Sequence, residues 1–262
     1  NPDGTPGGGG TQGLMKGKVF EKVGVNISTV DGTFSEEFQK QINGAEEDPN
    51  FFATGVSLVA HMTNPHVPNI HMNTRFLCTT KRWFGGGADL NPALPYNEDT
   101  EEFHARMRSA CAPHNPEYYP KFKKWADDYF YIKHRQETRG VGGVFFDRLT
   151  ENEEFSLEDR WKFVQDIGSQ FAPIYTHLMA KNNSLPFNPE QKEWQFIRRG
   201  RYAEFNLVWD KGTKFGLDTN GRTESILMSL PPQANWHYNA QPAPNSAEQK
   251  TLDLLKKGID WV

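Results

Sequence analysis

The chain has 262 residues, with 29 Lys and Arg against 33 Asp and Glu, for a formal net charge of −4. That length supports one large domain or two small ones and a core needing no disulfide staples. The near-balanced charge excludes a general nucleic-acid binder, and no apolar run approaches the roughly 18–20 residues that span a bilayer.

Residues 1–17 are Gly- and Pro-rich and read as a flexible segment, leaving 18–262 as a single domain. Asn1-Pro2-Asp3-Gly4 carries neither a signal nor a transit pattern. With Cys78 and Cys111 alone, a disulfide framework has no basis and a reducing compartment is expected. Val19, Val23, Val25 and Ile27 predict strand, closed by Asp31-Gly32. Thr54–His61 reads as a buried strand, Asn64–Pro68 as an irregular loop, and Asn69–Thr79 as the strand that returns.

Helical periodicity follows over Asp99–Ala112 and Glu117–Glu137, then a strand over Gly140–Leu149. Leu157–Ala180 predicts a helix interrupted at Pro173, and Pro189–Gly200 a helix stopped by glycine. Tyr202–Trp209, Lys214–Leu217 and Ser225–Leu230 read as strands, and Ser246–Lys257 as a last helix. These elements predict a single α+β domain on a mainly antiparallel sheet.

Common catalytic signatures are missing. Gly8, Gly10 and Gly13 match a dinucleotide-loop spacing, but no strand is expected before them; there is no P-loop, H-E-x-x-H, G-x-S-x-G or paired C-x-x-C. The strands around the Pro loop say more. Residues two apart share a face of a strand, so His71, Asn73 and Arg75 stand opposite an apolar set, Ile70, Met72, Thr74 and Phe76. If this strand pairs with the preceding one, Ser57 and His61 join the polar row; a solvated sheet face is the alternative.

His61, His71, His104 and His134 could supply four imidazoles to a transition metal, although spacing alone does not show convergence. Asp89 follows Gly85-Gly86-Gly87 and is a candidate acid, base or N–H acceptor. Arg135, Arg139, Arg198, Arg199, Arg201 and Arg222 include several beside glycine, a setting suited to carboxylate or phosphate. Together these features suggest a wide pocket for a flat, multiply anionic ligand, without fixing a reaction.

Longer motifs carry a family resemblance. The run Arg198-Arg199-Gly200-Arg201-Tyr202-Ala203-Glu204-Phe205-Asn206-Leu207-Val208-Trp209-Asp210-Lys211-Gly212-Thr213 resembles a signature of oxygen-dependent coproporphyrinogen III oxidases. So do Gly55–Val59, Trp83–Leu90, the stretch from Lys133-His134-Arg135 to Phe146, and Arg222–Pro232. The resemblance implies oxidative decarboxylation of two propionates of coproporphyrinogen III to vinyl groups, giving protoporphyrinogen IX in haem biosynthesis, with O₂ consumed and CO₂ and H₂O₂ released. It implies a large antiparallel sheet with helices on both faces, a homodimer, and no organic cofactor. A divalent metal such as manganese is left open.

By the same resemblance, His71, Arg75, Asp89 and Arg139 are expected to be catalytic. Ser57, Asn73, Thr74, Arg75, Asn220, Gly221 and Arg222 are expected to bind substrate, and His61, His71, His104 and His134 to be metal ligands. Asp89 would accept pyrrole N–H groups and act as base; His71 would donate a proton. The compartment would be the cytoplasm or, alternatively, the mitochondrial intermembrane space. Arg148 stands where the family has Asp, Ala126 where it often has Cys, and Asn220 where Gly or Pro is usual. A metal-dependent hydrolase built on the histidines and a non-catalytic tetrapyrrole carrier are the competing classes.

Overall fold

The computed structural model describes residues 8–218 and 221–262. Five strands follow one another, β1 (Gly9–Met15), β2 (Phe20–Thr33), β3 (Asn50–Met62), β4 (Asn69–Cys78) and β5 (Arg82–Asn91), with a short α1 (Glu36–Gln39) between β2 and β3. Then come α2 (Asn97–Cys111), α3 (Tyr118–Tyr129), a two-residue hairpin of β6 (Tyr131–Ile132) and β7 (Glu137–Thr138), and β8 (Gly143–Leu149). The chain closes with α4 (Leu157–Asn182), α5 (Pro189–Glu204), a π turn at Phe205–Trp209, α6 (Lys211–Asp218), α7 (Thr223–Ile226), a 3₁₀ turn at Leu227–Ser229 and α8 (Ala247–Leu254).

One antiparallel sheet runs in the order β1-β2-β3-β4-β5-β8. Directly opposed residues point to the same side, and the register sorts chemistry cleanly by side. Ala60, Ile70 and Leu90 form one apolar row; Leu58, Met72 and Ala88 form the next. This side packs against Phe103 and Met107 of α2, Phe122 of α3, and Phe163, Ile167, Ile174 and Leu178 of α4. Each such side chain contributes roughly 1.5–3 kcal/mol by leaving water. On the other side, Val59, His71 and Asp89 make one row, Ser57, Asn73 and Gly87 the next, and Gly55, Arg75 and Gly85 the third.

Several elements differ from the sequence expectation. Gly9–Met15, expected to be flexible, is an edge strand: glycine lowers strand propensity but leaves every ladder hydrogen bond available, and the long β2 offers the partner. Residues 1–7 lie outside the described residues. Pro173 does not divide α4, because buried residues before and after it hold both halves to the same sheet face. The segments expected as strands after Gly200 are helical turns instead. The predicted helix does not stop at Gly200 but runs on to Glu204 and into the π turn, where Asn206 accepts from the buried Arg139. Burial of Phe205 and this tertiary bond outweigh the local β propensity of Phe205, Val208 and Trp209. The second predicted helix stops at Tyr129, and the chain turns back through Gln136 in a left-handed conformation with φ 57°.

Candidate active site

The polar side of the sheet carries a continuous chain of hydrogen bonds. Arg75 Nη1 donates to Asn73 Oδ1 at 3.1 Å, and Asn73 Nδ2 lies 3.3 Å from His71 Nε2. His71 Nδ1 is 2.8 Å from Asp89 Oδ1. Because a carboxylate only accepts, the Asp89 contact calls for a proton on His71 Nδ1, with Nε2 left toward the Asn73 amide; Arg139 Nη2 also lies 3.2 Å from Nδ1. Strand geometry sets the spacing, since His71, Asn73 and Arg75 alternate along one side of β4 and Asp89 opposes His71 directly.

Asp89 is fully committed. Its oxygens accept from His71, from Arg139 Nη2 at 2.8 Å and Nε at 3.0 Å, and from Asn91 Nδ2 at 3.0 Å. It is 1% exposed, whereas the His71 side chain is 16% exposed. Burial by itself would raise the Asp89 pKa, but the adjacent Arg139 charge and the His71 and Arg139 hydrogen bonds hold it well below the carboxylate range. The group is therefore a fixed anion behind His71. The sequence reading has it accepting pyrrole N–H groups; here protein donors fill those positions.

Arg139 is held as tightly. The loop 140–142 continues the pairing with β5, with Leu90 N donating to the Gly142 carbonyl and Val141 N to the Leu90 carbonyl. Gly142 makes this turn at φ 81°. The turn swings Arg139 over Asp89 and into a cage of Phe130, Tyr202 and Phe205, whose ring centroids lie 4.4, 4.6 and 4.8 Å from its guanidinium carbon. Cation–π contacts of this kind stabilise a desolvated charge. Burial lowers the Arg139 pKa, but the Asp89 charge outweighs it and the net shift is upward. Its remaining Nη1 donates to Asn206 Oδ1 at 2.7 Å, and Asn206 Nδ2 donates to Ser229 Oγ at 3.2 Å. Asn206 was not among the sequence-predicted site residues; its position inside the long signature run was the available signal.

Other predicted arginines are consumed internally rather than offered to a ligand. Arg135 and Arg201 pair with Glu204, Arg198 with Glu137, and Arg199 with Glu21. Arg222 stands exposed at the start of α7, next to exposed Gly221, while Asn220 lies outside the described residues. The segment that follows them is fixed to the polar side through its backbone: Asn26 Nδ2 donates to the Ser225 carbonyl, and Lys22 Nζ to the Leu230 carbonyl. Met228 lies so close to Gly24 that a Cβ there would come within 2.7 Å of it.

Ser57 joins Asn73 on one row, as the pairing expectation requires. Thr74 does not belong with them. Its side chain points to the helical side, toward Gly168 of α4, because it sits one residue out of phase with Asn73 and Arg75.

The four histidines proposed as metal ligands do not converge, and among the described residues no three His, Cys, Asp or Glu side chains gather to hold a metal. His61 Nε2 donates to the Ser229 carbonyl. His104 spends both ring nitrogens, on the Tyr119 hydroxyl and the Val141 carbonyl. His134 Nε2 donates to Glu204 while its Nδ1 accepts from Trp209 Nε1. Burial lowers the pKa of His61 to about 3 and of His104 to about 4. The arrangement does not fit a four-His metal, and no step is assigned to one.

Comparison with known proteins agrees with the motifs. A model of the coproporphyrinogen III oxidase family matches residues 2–261. The oxygen-dependent coproporphyrinogen-III oxidase of Rickettsia bellii (strain RML369-C) is 55% identical over 230 residues, covering 88% of this chain and 81% of its own. The protein of the same name from Rickettsia akari (strain Hartford) is 54% identical over 231 residues, covering 88% and 82%. With this sequence match across nearly its whole length, the chain belongs to the coproporphyrinogen III oxidase family.

Proposed function

We propose that this chain converts two propionate side chains of coproporphyrinogen III to vinyl groups with O₂, forming protoporphyrinogen IX in haem biosynthesis. The observation that carries the reading is the row of His71, Asn73 and Arg75, backed by the buried Asp89–Arg139 pair, in a chain of this family. Each propionate loses its carboxylate as CO₂ and one hydrogen with its electron pair. O₂ takes that pair and that hydrogen, and one further proton completes H₂O₂. The residues need only bind the carboxylates, orient the reacting carbon and supply that proton, so no organic cofactor is required.

Arg75, 37% exposed, is the propionate receptor, since guanidinium binds carboxylate through two parallel bonds. Ser57 and Asn73 line the same side, and Gly221 and Arg222 lie at the start of the segment that crosses it. His71 presents Nε2 toward this face and is the proton carrier. The fixed Asp89 carboxylate, 2.8 Å from Nδ1, holds the ring so that Nε2 is the atom left to exchange a proton with the substrate. Asp89 and Arg139 are thus positioning residues: they set the tautomer, the ring orientation and the local charge of His71.

The bacterial relatives support the cytoplasm as the compartment, and a homodimer completes the reading; among the described residues no helix is long and apolar enough to cross a membrane. The test is incubation with coproporphyrinogen III under air and under argon, followed by oxidation and protoporphyrin fluorescence. Protoporphyrin forming only with O₂ is the expected result; equal formation without O₂ would contradict the proposal.

A further inference from the structure

One carboxylate on the polar side has no part in the steps above. β5 and β8 lose register between Phe84↔Leu149 and Gly86↔Phe146, so Asp147 and Arg148 together oppose Gly85. Such a bulge re-aims side chains, and Arg148 makes it by adopting a left-handed conformation with φ 53°. Alternation from Phe145, which opposes Gly87, already sets Asp147 on the polar side against Arg75, and the extra residue, Arg148, returns Leu149 to the core. Asp147 Oδ1 lies 2.9 Å from Arg75 Nη2. Both groups lie flat on Gly85, where a Cβ would come within 2.6 Å of Asp147 Oδ1 and 2.8 Å of the guanidinium carbon.

The pair is close but badly aligned. Asp147 Oδ1 is shielded from solvent and makes no hydrogen bond, so its hold on Arg75 is charge alone. The aligned bond of Arg75 goes to Asn73. At 37% and 30% exposure the two side chains stay within reach of solvent and ligand.

We propose that Asp147 is a resident carboxylate that occupies Arg75 in the free enzyme and is displaced by a substrate propionate. This rests on the reading of Arg75 as the propionate receptor. A propionate in bidentate geometry makes two charge-assisted bonds where Asp147 makes none, so it wins the exchange. An anion that cannot present that geometry gains less and must still displace Asp147. Asp147 therefore sets the selectivity of the site for carboxylates of the right reach, at the expense of some affinity.

The test measures KM and kcat for coproporphyrinogen III, and binding of coproporphyrin III by fluorescence, in wild type, Asp147→Asn, Glu151→Gln, Arg75→Gln and the Asp147→Asn/Arg75→Gln double variant at low ionic strength. Asp147→Asn should lower KM and the coproporphyrin III Kd about two- to fivefold, the size of one partly exposed ion pair, with kcat within about twofold. Glu151→Gln removes the same charge from the neighbouring pair with Arg82 and should change neither. On the Arg75→Gln background the effect of Asp147→Asn should vanish. An unchanged or raised KM in Asp147→Asn, an equal effect of Glu151→Gln, or persistence without Arg75 would overturn the resident-carboxylate proposal alone. Undiminished coproporphyrin III binding by Arg75→Gln would instead remove the receptor reading on which it stands.

Discussion

The two sides of the sheet are made by the same strands and obey different rules. On the helical side, Ile70, Met72, Phe84 and Leu90 meet Phe103, Phe122, Phe163 and Ile167, and any well-filled apolar set would serve. On the polar side, His71, Asn73, Arg75, Asp89 and Arg139 are bound by directional contacts in which each group depends on the next. The first side stores stability; the second stores orientation. Substitutions should therefore separate the two readouts.

The largest effect is expected at His71. His71→Gln should cut turnover by about 10²–10⁴-fold, the usual worth of a positioned proton carrier. Its unfolding free energy should change by less than about 1 kcal/mol, because the ring is at the rim of the core. Denaturant unfolding beside steady-state rates checks both. Across the sheet, Phe163→Ala should cost about 3–5 kcal/mol by opening a cavity in the core, with kcat and KM unchanged for the molecules that remain folded. If Phe163→Ala instead altered KM, the division between the sides would fail.

A smaller effect comes from acid. His61 and His104 are kept neutral by burial down to about pH 3 and about pH 4. Below the unfolded value of about 6.5 the unfolded chain binds protons that the folded chain refuses, so stability is full above that pH and falls as pH drops. The slope should approach about 1.4 kcal/mol per pH unit for each histidine between pH 6 and 5. Urea midpoints across this range, in wild type and His104→Gln, should show the slope reduced in the variant. Smallest is the bulge. Arg148→Asn should gain up to about 1 kcal/mol, since Asn tolerates the left-handed conformation that a long side chain resists; a lowered melting temperature would show that Arg148 is not strained there.

Much of this contrast is readable from the sequence. The alternation on β4 separates Ile70, Met72 and Phe76 from His71, Asn73 and Arg75, and the structure keeps that separation. Thr74 obeys the same rule and sits on the helical side; only the resemblance groups it with the substrate contacts. Arg139 beside glycine marks the site, but not that the side chain turns inward to Asp89 instead of outward to a ligand. That depends on the cage of Phe130, Tyr202 and Phe205, residues 9 to 66 positions away, which no local pattern joins. The helical turns after Gly200 depart from the sequence expectation for a related reason. Their contacts run from Asn206, Ser225 and Leu230 to partners on other elements, which local propensity does not register. Alternation places Asp147 on one side with Phe145, but its meeting with Arg75 depends on β8 pairing beside β5, a long-range contact that no local pattern shows.

The central claim is that Asp89 acts through His71. A double-mutant cycle on turnover per folded molecule, with His71→Gln, Asp89→Asn and both together, measures that dependence directly. The account predicts that Asp89→Asn costs little further activity once His71 is gone. Losses that add fully in the double variant would show that Asp89 meets the substrate on its own and would contradict the account.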